Sequence, residues 1–411
     1  MRVVSDVFLV PAIAPDAMEN VYIMGGIGVG KTTLVRSAAA THVVYEEYVN
    51  HRLLSDYILN PERHAYQFQL AMMQGACVRT MDAETTLWSA SRAARSPKGI
   101  IVERPAQENI YFAKANHLCK NISDADYAQY CYYVKQFNLD LAAFRQTTKS
   151  VVPPPVAFQP WAPEYMTIQR MIERQRLSED GYRDKYMCTL PHVYFVAYIE
   201  LLMIRNLIVT HRPTVARQGE CLGVRFDTDE SICPDAILPI VIDWTNYGSW
   251  DKITRHVATS NIKEWTNQPG NVILRFQQAD TTADLMHNHV TGVMDHVTCT
   301  DNHYTFNLSW YIRHFKEDVT NKFLAPFRDM FFKARATCSK ITFVVDHALF
   351  ETSFLLNVFT PYPMTQKVIM APLPIAHPQG RPLENEEYMS VDAQPTDSDE
   401  PASFDFWEER G

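Results

Sequence analysis

Residues Gly25 to Thr32 read GGIGVGKT, and the reading of this stretch decides the fold. Gly25, Gly26, Ile27, Gly28, Val29, Gly30, Lys31 and Thr32 fit the spacing G-x-x-x-x-G-K-[ST] of a phosphate-binding loop. An apolar run, Val21 to Met24, precedes it, and a helical pattern opens at Thr33. Such a strand–loop–helix lets glycine backbone N–H groups turn inward around a phosphate chain, with the positive end of the helix dipole behind them. Lys31 is expected to reach the outer phosphates of ATP, Thr32 to ligate Mg2+, and Thr33 to join the nucleotide-binding set. A glycine-rich turn without a ligand is the ordinary alternative; the flanking strand and helix weigh against it.

Outward from the loop, the chain supports a large α/β unit. It has 411 residues, 46% of them apolar, and a formal net charge of −9. From Arg381 onward there are 10 acidic and 2 basic residues. The tail therefore holds nearly all of the excess, and the body is close to neutral. A near-neutral body argues against a broad duplex-binding surface, so no direct nucleic-acid contact is expected. The eight cysteines form no C-x-x-C pair and are expected to be reduced thiols of a soluble, intracellular protein. No leader is read at the N-terminus. The longest apolar run, Val193 to Val209, is broken by Glu200 and Arg205 and is expected to be a buried helix rather than a membrane span.

Strands are expected at 21–24, 42–45, 99–102, 156–159, 237–243, 271–276 and 341–346, with helical patterns between them. Strand–helix alternation predicts a parallel sheet flanked by helices. The expected organisation is a lead-in over 1–19, a phosphate-loop domain over 20–375 with a long insert at about 210–335 before the last strand, and a proline-rich, acidic, disordered tail over 376–411.

A phosphate loop implies a nucleotide but not a reaction. Phosphoryl transfer needs an oriented nucleophile and clamped charge on the γ-phosphate. Glu46, at the end of the second strand, is placed to take a proton from a substrate hydroxyl; Glu47 is adjacent and points elsewhere. Glu103 and Arg104 follow the strand Ile100–Val102, where the acid would hold magnesium and the arginine would keep Glu46 in register. Arg170, Arg174 and Arg176 lie on the helix after Pro163, with Glu179 beyond, and make a candidate lid. Each taken alone also reads as an ordinary solvated group or surface ion pair; their company with the loop is what favours a site.

In order along the chain, GGIGVGKT, VVYEE (43–47), YQFQLAMM (66–73), VERP (102–105) and RMIERQRLSE (170–179) resemble the deoxyribonucleoside kinase family, and more specifically its herpesvirus-type thymidine kinases. ITFVVD (341–346) is similar to the family's last sheet strand. The resemblance implies a kinase that passes the ATP γ-phosphate to the thymidine 5′-hydroxyl for nucleotide salvage and DNA synthesis. It implies Glu46 as general base, Gln69 on the base edge and Met72 on the base face. It further implies Glu103 and Arg104 beside the phosphates, the three lid arginines as charge clamps, and Glu179 near the sugar 3′-hydroxyl, with Tyr57 as a partner there. Tyr111 or Phe112 is a candidate for the second base face; core packing explains them equally well. A homodimer is implied, built from the helices after the acid–arginine pair and before the last strand. A viral member would work in the infected host cell, in cytoplasm or nucleus.

Departures bear on the substrate. Relatives preferring deoxycytidine or purines carry an arginine and an aspartate where this chain has Ala76 and Asn109, which favours thymidine. Glu47 stands where a proline is usual, Pro105 where a serine or histidine is, and Ala113 where an aromatic is. Two rival readings stay open: an ATPase acting on nucleic acid, with Asp243 or Asp346 as a magnesium-binding strand-end acid, and a non-catalytic nucleotide-binding interaction protein. His287, His289, His296, Cys299 and His303 have an irregular spacing that zinc could use, though ordinary loop and strand histidines explain it better.

Overall fold

The computed structural model describes residues 20–92, 99–148, 152, 155–174, 184–204, 208–211, 221–226, 237–259, 271–277, 293–318, 321–346 and 368–372. The lead-in, Arg176, Glu179, His287, His289 and the acidic tail lie outside them.

The phosphate-loop half begins with β1 (Asn20–Ile23), α1 (Lys31–Ser37), β2 (His42–Tyr45), α2 (His51–Leu59), α3 (Pro61–Arg92) and β3 (Gly99–Glu103). It continues through α4 (Asn109–Leu118), α5 (Asp124–Thr148), β4 (Val156–Trp161), α6 (Glu164–Glu173) and α7 (Asp184–Ile204). Pro61 separates α2 from α3, as proline at a first helical position does. After β5 (Ile208–His211) and β6 (Cys221–Phe226), β7 (Ile240–Asp243) returns to this half. Its sheet is parallel, in the order β2-β3-β1-β4-β7. β1 lies at the centre and is buried on both faces, which explains its unbroken apolar run.

The remaining elements are α8 (Trp250–Thr259), β8 (Val272–Gln277), β9 (Val297–Thr300), β10 (His303–Asn307), α9 (Leu308–Glu317), α10 (Ala325–Ala336), β11 (Lys340–Asp346) and β12 (Val368–Pro372). With β5 and β6 they build a second sheet, in the order β12-β6-β5-β8-β11-β10-β9. Its β5, β8, β11 and β10 run parallel, and its margins are antiparallel.

Three sequence expectations change here. Ile341–Asp346 is a buried strand, but it pairs with β8 and β10 in the second sheet; the phosphate-loop sheet ends with β7. The segment 210–335 is thus more than an insert, since it holds β7 itself and most of a second sheet. The long apolar helix stops at Ile204 and the following Ile-Val-Thr-His is a strand, as β-branched residues favour.

Between the sheets, α7 is the hinge of the core. Phe195 and Tyr198 are fully buried, and Phe195 meets the rings of Tyr311, Phe327, Phe331 and Phe332 at 4.7 to 6.4 Å. Tyr198 donates its hydroxyl to Pro239 O and accepts from Arg335 Nε. α4 and α10 also turn most of their residues inward. No helix among the described residues is long and apolar enough to cross a membrane. Six described cysteines are free thiols.

Phe195→Ala removes a ring from a site with no solvent. It is expected to lower unfolding free energy by about 3–5 kcal/mol, read from the denaturant midpoint at unchanged m-value.

Candidate active site

The loop between β1 and α1 takes its shape from three left-handed glycines: Gly25 at φ 136°, Gly28 at 78° and Gly30 at 99°. Close approach reinforces this. A Cβ on Gly28 would sit 2.4 Å from Thr167 O of α6, and one on Gly30 would sit 2.6 Å from the Tyr247 ring. The loop is thus clasped between α6 and the segment after β7.

Lys31 is buried and donates to the carbonyls of Gly25 and Gly26 at 2.7 and 2.9 Å. Burial first, then the Arg104 charge, lower its pKa to about 8, against an upward pull from Glu108, Glu47 and Glu103. Thr32 donates its hydroxyl to Glu103 Oε1 at 2.7 Å, and Glu103 Oε2 accepts the Glu47 N–H at 3.3 Å. A hydroxyl and a buried carboxylate side by side at a helix N-terminus are the hard oxygen donors that magnesium takes. The curled glycine backbone and the ammonium suit a phosphate chain. The residues fit both groups.

A cavity of about 320 Å³ opens from the loop. Ile27, Gly28, Gly30, Lys31, Thr32 and Thr33 form its floor; Arg36, Glu103, Arg104, Arg170, Arg174 and Tyr247 stand around the phosphate end. Phe68, Gln69 and Met72 of α3, with Phe112 and Tyr186, form an aromatic and apolar far end. The Gln69 side chain is 2% exposed and has no hydrogen-bond partner among the described residues. An unanswered amide in an otherwise apolar wall asks for a ligand with its own donor and acceptor.

The two adjacent glutamates go separate ways. Glu46 is exposed, outside the cavity lining, and held by Arg36 through two 3.0 Å bonds. Glu47 lines the cavity, largely buried, 3.0 Å from Arg104. The oxygen engaged by Arg104 Nη1 is Oε1. The expected placement, with Glu46 inward beside Arg104, is reversed: β2 ends at Tyr45, so strand alternation no longer governs residues 46 and 47.

Arg104 is set by its backbone. It has φ 51°, its N–H donates to Ile23 O at 3.0 Å, and its guanidinium lies 3.9 Å over the Phe112 ring. Such a backbone for a non-glycine residue at a strand end is a strained position that the surroundings must hold. Burial opposes the Arg104 charge, but Glu47 and Glu108 outweigh it and raise the pKa further.

Other expected residues fall elsewhere. Tyr57 stacks on Phe68 and donates to Asn116 Oδ1 at 2.9 Å, away from the cavity lining. Tyr111 packs edge-on to Tyr194 in the core. Gly25, Gly26 and Val29 shape the loop without lining this cavity. Arg170 donates to Val29 O at 3.1 Å and to Trp244 O and Thr245 O at 2.8 Å, with its guanidinium 4.2 Å over the Tyr247 ring. Ala76 is core, and Asn109 donates to Pro105 O within its own turn. Asp243 accepts from Thr245 N and is exposed, while Asp346 belongs to the second sheet. Neither stands as the loop's acid. Among the described residues no three His, Cys, Asp or Glu side chains group as a metal site; His296 stacks on Trp310 and His303 meets Thr342 Oγ1.

Sequence reasoning missed Glu108. It is fully buried, accepts from Gly25 N–H and the Tyr194 hydroxyl, and is shifted upward in pKa by that burial. It missed Tyr247 too, whose only sequence signal was its place after a strand ending in Asp243.

Residues 21–216, just under half of the chain, match the family model described as deoxynucleoside kinase. The match runs from β1 through β5 and leaves most of the second sheet outside. Among solved structures, the chain is similar to a deoxyadenosine kinase from M. mycoides with bound dATP, at 16% identity over 59% of this chain and 99% of that one, TM-score 0.37. It is similar also to the same enzyme with bound dCTP, at 14% identity over 60% and 99%, TM-score 0.38. No curated protein sequence matches the chain significantly.

The Lys31 pKa has a consequence in each direction. In the unfolded chain a lysine titrates near 10.5 and here near 8. The folded protein therefore binds fewer protons between these values, and this group's cost to stability is relieved as pH rises from about 8 to 10.5. ATP affinity should move oppositely. Only the ammonium form pairs with phosphate, so binding is expected to weaken by up to about tenfold per pH unit above 8, measured by titration calorimetry in matched ionic strength.

Proposed function

We propose that this chain is an ATP-dependent nucleoside kinase whose acceptor is thymidine or a closely related pyrimidine deoxynucleoside. The observation that carries the reading is the union, in one cavity, of a phosphate loop, a largely buried carboxylate held by Arg104 (Glu47), and a buried amide without a protein partner among the described residues (Gln69).

In this reading Gln69 offers one donor and one acceptor to the base edge, while Met72, Phe68 and Phe112 give apolar faces to a flat ring. The sugar then lies toward Glu47. Its carboxylate accepts the 5′-hydroxyl proton as the oxygen bonds to the γ-phosphorus and the bond from that phosphorus to ADP breaks, and Arg104 holds that carboxylate in place. Lys31, Arg104 and Arg174 stabilise charge spreading over the transferring group, with Arg176 beyond the described part of the same segment. Thr32 and Glu103 would hold magnesium, which supplies charge neutralisation on the phosphates. Arg170 and Tyr247 flank the donor side. Glu179 is proposed for the sugar 3′-hydroxyl; Tyr57, turned to Asn116, is not.

The base is therefore assigned to Glu47 rather than Glu46. Glu47→Gln keeps the shape and loses the proton acceptor, and is expected to reduce kcat by about 10²–10⁴-fold while thymidine still binds. Glu46→Gln, which breaks only an exposed ion pair, is expected to stay within about threefold of the parent. Steady-state transfer from ATP to each natural deoxynucleoside checks both. Equal losses in the two variants would return the base to an open question, and ATP hydrolysis stimulated by DNA but not by nucleoside would favour the ATPase reading.

Gln69→Leu is isosteric enough to fill its place but cannot pair. It is expected to raise thymidine KM by at least about tenfold with ATP KM unchanged.

A further inference from the structure

The helix carrying Arg170 and Arg174 is poorly secured by its own sequence. Pro163 precedes it and supplies no side-chain cap. None of its residues is buried, and Tyr165, Ile168 and Ile172 are exposed at 68%, 44% and 71%. Beneath its first turns a cavity of about 90 Å³ separates Thr167 and Ile168 from Arg328, Asp329 and Phe332 of α10. Hydrophobic packing, which fixes most helices in a fold, is almost absent here.

Polar contacts hold it instead. At its start the Glu164 N–H donates to Asp329 Oδ2 of α10 at 3.2 Å. The Glu164 carboxylate accepts from Arg328, whose side chain is buried and is itself steadied by His192 of α7, 3.0 Å away. At the far end Arg170 reaches three carbonyls, on the loop and after β7. α6 is a strap pinned at both ends, and one pin belongs to the second-sheet half.

We propose that Asp329 is a positioning residue for Arg170 of α6 and Arg174 at its end, supplying across 165 residues of sequence the N-terminal cap that α6 lacks. A cap of this kind orients the first turn and satisfies a donor that the helix cannot satisfy itself. Burial lifts the Asp329 carboxyl to about 6, so at neutral pH it is the ionised, stronger acceptor. The layer outside the family match thereby reaches the phosphate end of the cavity. The effect on turnover rests on the kinase reading; the cap itself does not.

The test compares Asp329→Ala with Asp329→Asn in the full chain, by hydrogen exchange over residues 164–174 and by steady-state nucleoside phosphorylation. Asp329→Ala is expected to exchange faster in the first turn and to lose about fivefold in kcat, with nucleoside KM within about twofold. Asp329→Asn, whose amide oxygen can accept the same N–H, should restore both. Unchanged exchange in Asp329→Ala overturns the proposal, as does a kcat loss that Asp329→Asn shares in full. If the parent chain phosphorylates no nucleoside, the functional reading fails and exchange alone decides: faster in the alanine variant and restored in the asparagine variant upholds the cap, and no difference overturns it.

Discussion

A buried ammonium organises the site. Lys31 sits at the start of α1, inside the fold, with two of its three hydrogens on carbonyls of its own loop. A cation in that position is costly unless negative charge and dipoles surround it. Glu108 beneath the loop, Glu103 at the end of β3 and Glu47 across the cavity provide the charge. The positive-φ glycines make the bonding possible, because only a chain curled that tightly can turn Gly25 and Gly26 carbonyls toward a lysine that follows them. Arg104 then needs its own counter-ion, and finds it in Glu47. The acid and base groups of the cavity are thus arranged around a charge balance that exists before any ligand arrives.

The same constraint explains why β1 is central. It delivers the loop, its edges are taken by β3 and β4, and the ends of those two strands carry Glu103, Arg104 and the approach to α6. The second sheet does not extend this arrangement; it packs against it through α7 and α10, with an aromatic core around Phe195. Its size follows from that role. A single parallel sheet would leave the apolar outer face of α7 in water, and the second layer covers it within the chain.

The residues that were legible in the sequence are those whose position follows from local geometry. A glycine loop between strand and helix can be read directly, and so can an acid–arginine pair closing a strand; Gln69 and Met72 come only through the family resemblance. What was not legible depends on geometry that no periodicity encodes. Glu46 and Glu47 lie past the last ladder residue of β2, where alternation has no force, so which of the two turns inward is decided by Arg36 and Arg104. Ile341–Asp346 reads correctly as a buried strand, but pattern alone cannot say which of two sheets receives it. Glu108 resembles any helix-start acid until the loop is laid over it.

The asymmetry between the ends of the cavity follows from the same physics. The apolar end of the cavity is walled by α3, α4 and α7, all with buried faces. The end at the loop is walled by α6, none of whose residues is fully buried. A helix held by hydrogen bonds and ion pairs yields at lower free energy than one held by packing, and the groups that secure it can be exchanged one at a time. In the proposed kinase reading, arginines on such an element would clamp charge during transfer and surrender it afterward, whereas the same arginines on α7 would be fixed by its aromatic core. The second layer, through Asp329 and Arg328, holds the start of that helix.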